Sequence, residues 1–317
     1  MTHALRAVTR DDLTAVHALC RAIEVADRIP IATPLEEFEE WLDDPHLDLA
    51  ADTRLAMSGG ECIAWGRVYH RPSGEREERV YLFGGVSPAH RGRGVGRALL
   101  AWQIERGTQL LRTATTTLPR HVRTQAYDFQ ESTHRLYARF GLVPVRWNEE
   151  MLLDLAAAEP ATSAPDGIRI EPWDATNSEA ARLVRNESFR DHWGSTPQDA
   201  AAWAHDVEAF GSRTDLSFVA FDGDRAVALC RNAHFPGDEA VTGRRDGWIL
   251  TVGVLRSHRG RGVASALLAA SHRAFREAGF THAALGVDRD NPTGAYPLYE
   301  RFGYRTMSCG IVRQIEV

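Results

Sequence analysis

Hydrophobic and polar positions follow one order of patterns, and that order appears twice along the chain. Patterns of amphipathic helices cover residues 11–25 and 178–189, early in each half. Farther along, each half has a short apolar run that predicts a buried strand, followed directly by another helical pattern. These pairs cover residues 80–86 and 95–106 in the first half, and 248–254 and 263–278 in the second. Because strands and helices alternate, we expect an α/β fold in which helices cover a mixed sheet.

Two sequence segments return almost unchanged in the second half. Residues 85–96 read GVSPAHRGRGVG, and residues 253–264 read GVLRSHRGRGVA. Residues 136–141 read LYARFG, and residues 298–303 read LYERFG. The two offsets, 168 residues (85 to 253) and 162 residues (136 to 298), are nearly equal. We therefore predict that one domain has been duplicated.

The duplication predicts two domains joined by a linker. Residues 156–167 are rich in alanine and proline, which suits a short connecting segment. We therefore expect a first domain over residues 1–155 and a second domain over residues 168–317.

Each predicted domain also contains a Thr-Pro pair that resembles the start of a helix. The pairs are Thr33-Pro34 and Thr196-Pro197. Proline fits the first turn of a helix, and threonine is a good N-cap residue. We expect Thr33 and Thr196 to cap the helices that follow them.

All 37 basic residues are arginine, and the chain contains no lysine. A P-loop needs a lysine on its phosphates, a Schiff-base enzyme needs a lysine amine, and a protein kinase needs its strand lysine. The composition therefore excludes these three classes of enzyme.

Charge and cysteine usage narrow the class of protein further. The net charge is −6 at pH 7, and neither half has the basic excess of a nucleic-acid-binding domain, so no nucleic-acid partner is expected. The four cysteines form no CxxC pair, so neither a metal site nor a disulfide framework is expected. The chain contains no apolar signal region and no long apolar run. We expect a cytoplasmic protein with no membrane partner.

The repeated glycine-rich segment joins a predicted buried strand to a predicted helix. It is not the dinucleotide fingerprint G-x-G-x-x-G, because Arg97 and Ser265 stand where the third glycine is needed. Small residues let backbone N–H groups approach a ligand, and a helix N-terminus stabilises negative charge. We expect either a pyrophosphate site in each half or a glycine-rich turn with solvated arginines. The arginines concerned are Arg91 and Arg93, and Arg259 and Arg261.

These segments resemble the motifs of the GNAT acyltransferase superfamily. Residues 86–96 and 254–264 are similar to its acetyl-CoA-binding motif, V-x-P-x-x-[QR]-x-x-G-x-[GA]. Residues 291–304 are similar to its N-x-x-A-x-x-L-Y-x-x-x-G-F signature. The resemblance implies two tandem GNAT-like domains, each a mixed, mostly antiparallel twisted sheet flanked by helices. It also implies an N-acetyltransferase in which a small-molecule amine attacks acetyl-CoA directly.

The same resemblance implies particular site residues. The backbone of Val254, or of Val86 in the first copy, would pair with the pantetheine arm. Tyr299, or Tyr137 in the first copy, would serve the departing thiolate. The implied cofactor-binding residues of the second domain are Val254, Arg259, Gly260, Arg261, Gly262, Val263, Ala264 and Asn291. Those of the first domain are Val86, Arg91, Gly92, Arg93, Gly94, Val95 and Gly96.

The two copies differ in the second motif. Asn291 precedes Tyr299 by eight residues, but Phe129 stands at that distance before Tyr137. We expect the second domain to be catalytic. The first domain is expected either to bind acetyl-CoA without turnover or to have a structural role.

Two residues compete for the role of the base that deprotonates the acceptor amine. Some relatives carry a glutamate on the strand before the glycine segment, but Trp248 occupies that position here. Asp246, two residues earlier on the same strand face, would act through a water or be a solvated carboxylate at an exposed strand start. His192 is the rival, in the loop expected to form the acceptor pocket. Phe189 and Trp193 either wall that pocket or form a hydrophobic cluster at a helix end.

Two other functions stay open at this point. One is a non-catalytic protein that binds or senses acyl-CoA, and the other is a protein N-acetyltransferase with an open acceptor groove. The loops that would select the acceptor carry no readable code, so the acceptor amine is not identified. Either a monomer or a homodimer is compatible with the tandem arrangement.

Overall fold

Strands in mixed parallel and antiparallel pairing form the framework of each of two units. The computed structural model describes residues 4–317 except 45, 71–75, 158–159, 161 and 292–293. The first unit contains Met1–Arg146 and Gly310–Val317, and the second contains Trp147–Cys309. Among the described residues, no helix is long and apolar enough to cross a membrane.

The described residues of the first unit contain five whole strands, the start of β6 and the end of β12. The strands are β1 (Leu5–Arg6), β2 (Thr53–Ser58), β3 (Glu61–His70), β4 (Glu78–Val86), β5 (Arg120–Tyr127), residues 143–146 of β6 (Val143–Asp154) and residues 310–316 of β12 (Arg305–Glu316). The five whole strands and the end of β12 lie in the order β1-β2-β3-β4-β5-β12, and of these described pairs only β4 with β5 is parallel. The helices of this unit are α1 (Leu13–Asp27), α2 (Leu35–Leu42), α3 (Leu49–Asp52), α4 (Val95–Thr113) and α5 (Glu131–Arg139).

The second unit repeats this plan. Its strands are residues 147–154 of β6, β7 (Ile168–Pro172), β8 (Phe218–Asp222), β9 (Arg225–His234), β10 (Asp246–Val254), β11 (His282–Asp288) and residues 305–309 of β12. The first six of these lie in the order β6-β11-β10-β9-β8-β7, and of their described pairs only β10 with β11 is parallel. The helices are α6 (Ser178–Ser188), α7 (Ala200–Glu208), α8 (Glu239–Thr242), α9 (Val263–Glu277) and α10 (Ala295–Phe302). The mixed sheets and their flanking helices confirm the predicted α/β fold.

The units differ from the predicted domains at two strands. Residues 148–154 of β6 pair with β11 in the second unit, whereas the sequence suggested that they end the first domain. Residues 310–316 of β12 pair with β5 in the first unit. Backbone hydrogen bonds between residues distant in sequence decide both memberships, and a local pattern does not reveal them. Positions 158, 159 and 161 of the predicted linker lie outside the described residues.

The helices that follow the Thr-Pro pairs are present, but the predicted caps are wrong. Pro34 is itself the N-cap of α2, and Thr33 instead donates its hydroxyl hydrogen to the Glu24 carboxylate, at 2.7 Å. The N-cap of α7 is Asp199, whose carboxylate accepts the N–H of Ala202 at 2.8 Å. A carboxylate and a threonine hydroxyl can both accept this bond, but only the carboxylate also brings the negative charge that a helix N-terminus favours.

In each unit the parallel pair of strands separates before the first strand of the pair ends. β4 pairs with β5 only up to Leu82 but continues along β3 to Val86. β10 pairs with β11 only up to Ile249 but continues along β9 to Val254. A gap therefore opens between the two strands, and it leads to the glycine-rich segment.

Candidate active site

The glycine-rich segment has the same backbone conformation in both units. In each, a strand runs into a 3-10 turn, a loop with two glycines and then a long helix. Gly92 and Gly94 have φ angles of 75° and 89°, and Gly260 and Gly262 have φ angles of 74° and 87°. Gly94 and Gly262 are the N-caps of α4 and α9. Left-handed glycines at a helix N-terminus present unpaired N–H groups outward, so each segment forms what we call an anion cradle.

The arginines of the cradles divide into two kinds. Arg91 donates to the Val86 carbonyl and pairs with the Asp27 carboxylate, at 2.5 Å. Arg259 donates to the carbonyls of Val254, at 3.1 Å, and Ser188, at 2.9 Å. Both guanidinium groups therefore fasten the cradle to a strand and a helix. The second arginines, Arg93 and Arg261, are both exposed, and Arg261 lies 3.8 Å from the Asp222 carboxylate.

A cleft of about 970 Å³ lies in the second unit, at the gap between β10 and β11. It brings together most of the residues that the sequence suggested for the second domain. Those that line it are Phe189, His192, Val254, Arg259, Gly260, Gly262, Val263, Ala264, Asn291 and Tyr299. Arg261, Trp193 and Asp246 are not among its lining residues.

Strand β10 contains a β-bulge beside the gap. Ile249 pairs with Asn232 and Thr251 pairs with Arg231, so Leu250 is an extra residue with no partner on β9. Strand β4 pairs with β3 without any such shift. A bulge leaves backbone groups outside the ladder of hydrogen bonds. Because Leu250 and Thr251 line the cleft, these groups are available to a ligand there.

Asp246 is the first residue of β10, and the cleft is lined by the same strand only from Ile249 onward. About 10 Å of extended strand separates Asp246 from Ile249, and about 25 Å separates it from Val254. Its carboxylate is buried, not exposed as the sequence suggested, and pairs with Arg244 at 2.8 Å. The structure therefore does not bring Asp246 to Tyr299. In the first unit, the carboxylate of Glu78 at the start of β4 is also buried, and it accepts a hydrogen bond from Thr116.

The two motif tyrosines have different surroundings. Tyr299 is 8% exposed, lines the cleft, and has no hydrogen-bond partner for its hydroxyl among the described residues. Burial raises the pKa of Tyr299 above its ordinary value, so the phenol keeps its proton at neutral pH. The hydroxyl of Tyr137 lies 3.1 Å from that of Thr124. Burial also raises the pKa of Tyr137, and the hydrogen bond with Thr124 opposes that rise.

His192 lies at the cleft with one ring nitrogen already engaged. Its Nδ1 is 2.9 Å from the Trp193 carbonyl oxygen. Only a protonated nitrogen can bond to a carbonyl, so Nδ1 carries the hydrogen and Nε2 keeps a lone pair in the neutral ring. The Phe189 ring packs against the imidazole, with centroids 5.3 Å apart. Phe189 and His192 line the cleft, whereas Trp193 does not.

Several polar residues line the cleft that the sequence did not single out. Asn148 comes from β6, which the sequence assigned to the other domain. Asp288 is the buried last residue of β11, and its Oδ1 accepts the N–H of Asp290 at 3.0 Å. Asp191 and Arg256 form an exposed ion pair. The sequence offered one signal for these residues, which is that Asp288 stands at the end of an apolar strand pattern.

Both units match a single family of known proteins. The model of the Acetyltransferase (GNAT) family matches residues 18–142 and 179–304. The chain belongs to the GNAT family. Each match contains one anion cradle and one motif tyrosine, so both copies are GNAT domains. The protein is accordingly an acetyl-CoA-dependent N-acyltransferase.

Similar GNAT proteins cover nearly the whole chain. A mycothiol acetyltransferase of Geodermatophilus obscurus is 28% identical over 301 residues, 92% of this chain and 90% of the relative. Another, of Thermobispora bispora, is 29% identical, with 93% of each chain covered. The crystal structure of a GCN5-related N-acetyltransferase from Sphaerobacter thermophilus has a TM-score of 0.77 and 28% identity, covering 99% of this chain and 95% of that one. A tandem GNAT protein from the clavulanic acid biosynthesis pathway shares the fold, with a TM-score of 0.71 and 17% identity.

GNAT enzymes use acetyl-CoA, and the second domain has groups that fit this molecule. A Cβ atom at Gly260 would point into open space, so its backbone can be approached closely. The N-terminus of α9 meets the need of a pyrophosphate for N–H donors. The pairing of β10 with β11 ends at Ile249, so the edge of β10 from Thr251 to Val254 is open toward the gap. Such an edge suits the amide groups of a pantetheine arm.

Proposed function

We propose that the protein transfers an acetyl group from acetyl-CoA to the primary amine of a small molecule by direct attack, and that the second domain carries out this reaction. The observation that carries the proposal is the unengaged hydroxyl of Tyr299, which lies in the same cleft as the cradle and the bulge of β10. In the first domain the equivalent hydroxyl is already hydrogen-bonded, and β4 has no bulge.

Binding of acetyl-CoA rests on the cradle of the second domain. The N–H groups around Gly260, Gly262, Val263 and Ala264 would hold the pyrophosphate, and Arg261 would add charge. Arg259 would keep the cradle in place, because it fastens the loop to β10 and α6. Val254 and Asn291 would contact the pantetheine arm. When bound, acetyl-CoA supplies a thioester carbonyl that an amine can attack.

Two protons have to move for this transfer, and two residues are placed to move them. The free Nε2 lone pair of His192 would take a proton from the acceptor ammonium, directly or through a water. The Tyr299 hydroxyl would donate a hydrogen bond or a proton to the departing thiolate sulfur. We assign the base role to His192 and not to Asp246, because Asp246 lies at the far end of β10.

The first domain is proposed to bind acetyl-CoA without turnover. Its cradle has the same glycine conformations, so Val86, Gly92, Arg93, Gly94, Val95 and Gly96 would hold the cofactor, with Arg91 fastening the loop. Its tyrosine hydroxyl is engaged, and its strand lacks the bulge. The tyrosine hydroxyl would therefore be unavailable to the departing thiolate, whereas the cradle would still bind the cofactor.

Two relatives are mycothiol acetyltransferases, so an acceptor of the mycothiol type is the first to test among small amines. The test incubates the protein with acetyl-CoA and a panel of amines and follows the release of free CoA thiol. We expect Tyr299→Phe to lower kcat by about 100-fold or more, the usual contribution of a general acid. Tyr137→Phe, the matched control, should retain kcat. Tight binding of acetyl-CoA without turnover of any amine would indicate a sensor instead.

A further inference from the structure

The first domain fixes its motif tyrosine through the hydroxyl. The Thr124 hydroxyl lies 3.1 Å from the Leu82 carbonyl oxygen and 3.1 Å from the Tyr137 hydroxyl. The Thr124 hydroxyl can donate its one hydrogen to the Leu82 carbonyl or to the Tyr137 hydroxyl. In either case the Tyr137 hydroxyl is engaged in a hydrogen bond with Thr124. That bond would have to break before the phenol could turn to another group.

The second domain has no hydroxyl at the position of Thr124. Leu82 pairs with Thr124 across the parallel strands of the first domain, and Ile249 pairs with Leu285 in the second. Leu82 lies opposite Val68, which follows Arg67, an arginine stacked on a tryptophan. Ile249 lies opposite Asn232, which follows Arg231, an arginine stacked in the same way. Leu82 and Ile249 are therefore equivalent positions. Leu285 is 1% exposed and apolar, so it cannot bond to Tyr299.

Tyr299 is held by its ring instead. The Tyr304 ring packs edge-on against it, with centroids 5.9 Å apart and an interplanar angle of 64°. The Tyr304 hydroxyl lies 2.7 Å from His272 Nε2. Tyr304 is 2% exposed and His272 is 0% exposed, so neither side chain can turn toward solvent. The hydrogen bond between them therefore fixes the ring that supports Tyr299.

The fold alone does not require this buried polar pair. His272 is the tenth residue of α9, and the tenth residue of α4 is Ile104. Tyr304 is the fifth residue after Tyr299, and Leu142 is the fifth after Tyr137. Ile104 and Leu142 pack in one apolar cluster of the first domain. An apolar pair can therefore fill these two positions, and a buried polar pair adds little net stability compared with an apolar one.

We propose that Tyr304 and His272 are positioning residues for Tyr299, holding its ring so that its hydroxyl stays available for proton transfer. Leu285 completes the arrangement, because it offers the hydroxyl no partner. The inference rests on the proposed role of Tyr299 and explains why only one of the two tyrosines can act. It assigns a role in the reaction to residues that do not line the cleft.

The test installs the pair of the first domain, as the double variant His272→Ile with Tyr304→Leu. We expect kcat to fall about ten-fold or more, since a misplaced catalytic group is costly, while the calorimetric affinity for acetyl-CoA stays unchanged. Tyr304→Phe keeps the ring contact but loses the bond to His272, so its kcat should lie between that of the double variant and that of the wild type. A wild-type kcat in Tyr304→Phe would overturn the role of His272. A double variant with wild-type kcat would overturn the proposal.

A second pair of variants tests the unengaged hydroxyl. Leu285→Thr supplies the hydroxyl found in the first domain, and Leu285→Val has the same shape without it. We expect kcat of the threonine variant to be about ten-fold below that of the valine variant, because Tyr299 must first break a hydrogen bond. Equal kcat values would overturn the proposal, whatever the stability of the two variants.

A Tyr299→Phe background separates this inference from the proposed function. If Tyr299→Phe keeps wild-type kcat, the proposed function fails at its acid. If Tyr299→Phe is impaired, the double variant should lower kcat no further in that background, because its effect passes through the hydroxyl. A further ten-fold loss would show a merely structural effect and would overturn the positioning role alone.

Discussion

Arginine is the only cationic side chain available to this protein besides histidine, and it is used where lysine would not serve. Arg67 is 8% exposed, and its guanidinium carbon lies 4.9 Å from the Trp41 ring and 4.7 Å from the Phe83 ring. Burial lowers the pKa of Arg67 to about 10. Arg231 stacks in the same way on Trp203 in the second domain. A planar guanidinium can lie on aromatic faces, whereas an ammonium keeps its strong hydration.

The proposed base predicts the effect of a substitution at a single residue. His192→Gln keeps a polar side chain but removes the group that accepts a proton. We expect kcat/KM to fall about 100-fold, because the acceptor ammonium then loses the side chain that takes its proton. The measurement is kcat/KM for release of CoA thiol with a fixed amine. Asp246→Asn is the matched control and should retain kcat/KM; a comparable loss there would return the base role to Asp246.

At the scale of strands and helices, much of the fold could be predicted from local pattern. Residues 80–86 were predicted as a strand, and β4 covers Glu78–Val86. Residues 263–278 were predicted as a helix, and α9 covers Val263–Glu277. The bulge at Leu250 and the pairing of β6 with β11 were not predicted. Both depend on cross-strand register, which hydrophobic periodicity does not specify.

The candidate site shows the same division between local and long-range information. The cradle glycines and Tyr299 were found because each lies within a short motif, and the cleft brings them together. Asp246 was suggested because it shares a strand face with Trp248, but a face does not say which end of the strand borders the gap. Asn148 was missed because its strand pairs with a partner far away in the sequence.

The cradle predicts the effect of one substitution at a helix N-terminus. Gly262→Asp places a side chain at a φ of 87° and a negative charge beside the proposed pyrophosphate. We expect the variant to lose one of two calorimetric acetyl-CoA sites and to lose turnover. Gly94→Asp, with a wild-type φ of 89°, should lose the other site and keep turnover. Unchanged acetyl-CoA binding in Gly262→Asp would contradict the assignment of the cradle.

At the scale of the whole molecule, the duplicated sequence and the two folded units do not share their boundaries. The second unit includes residues 148–154, and these seven residues pair with seven residues of β11. Met151 and Leu153 in this segment are 1% and 2% exposed, within the core of the second unit. Burial of each side chain contributes about 2 kcal/mol. A fragment cut at the predicted linker would lose both side chains and leave the edge of β11 uncovered.

Two fragments of the chain test which boundary folding follows. The fragment Trp147–Cys309 keeps β6 and Asn148, and we expect it to unfold cooperatively, bind acetyl-CoA and retain most of kcat. The fragment 168–317 should unfold at a much lower temperature, because it loses the burial of two apolar side chains, which contributes about 4 kcal/mol to the free energy of unfolding. It also exposes a strand edge that favours aggregation. Thermal unfolding and release of CoA thiol measure both effects. Equal Tm and kcat for the two fragments would restore the boundary at the linker and would make the pairing of β6 dispensable for the second domain.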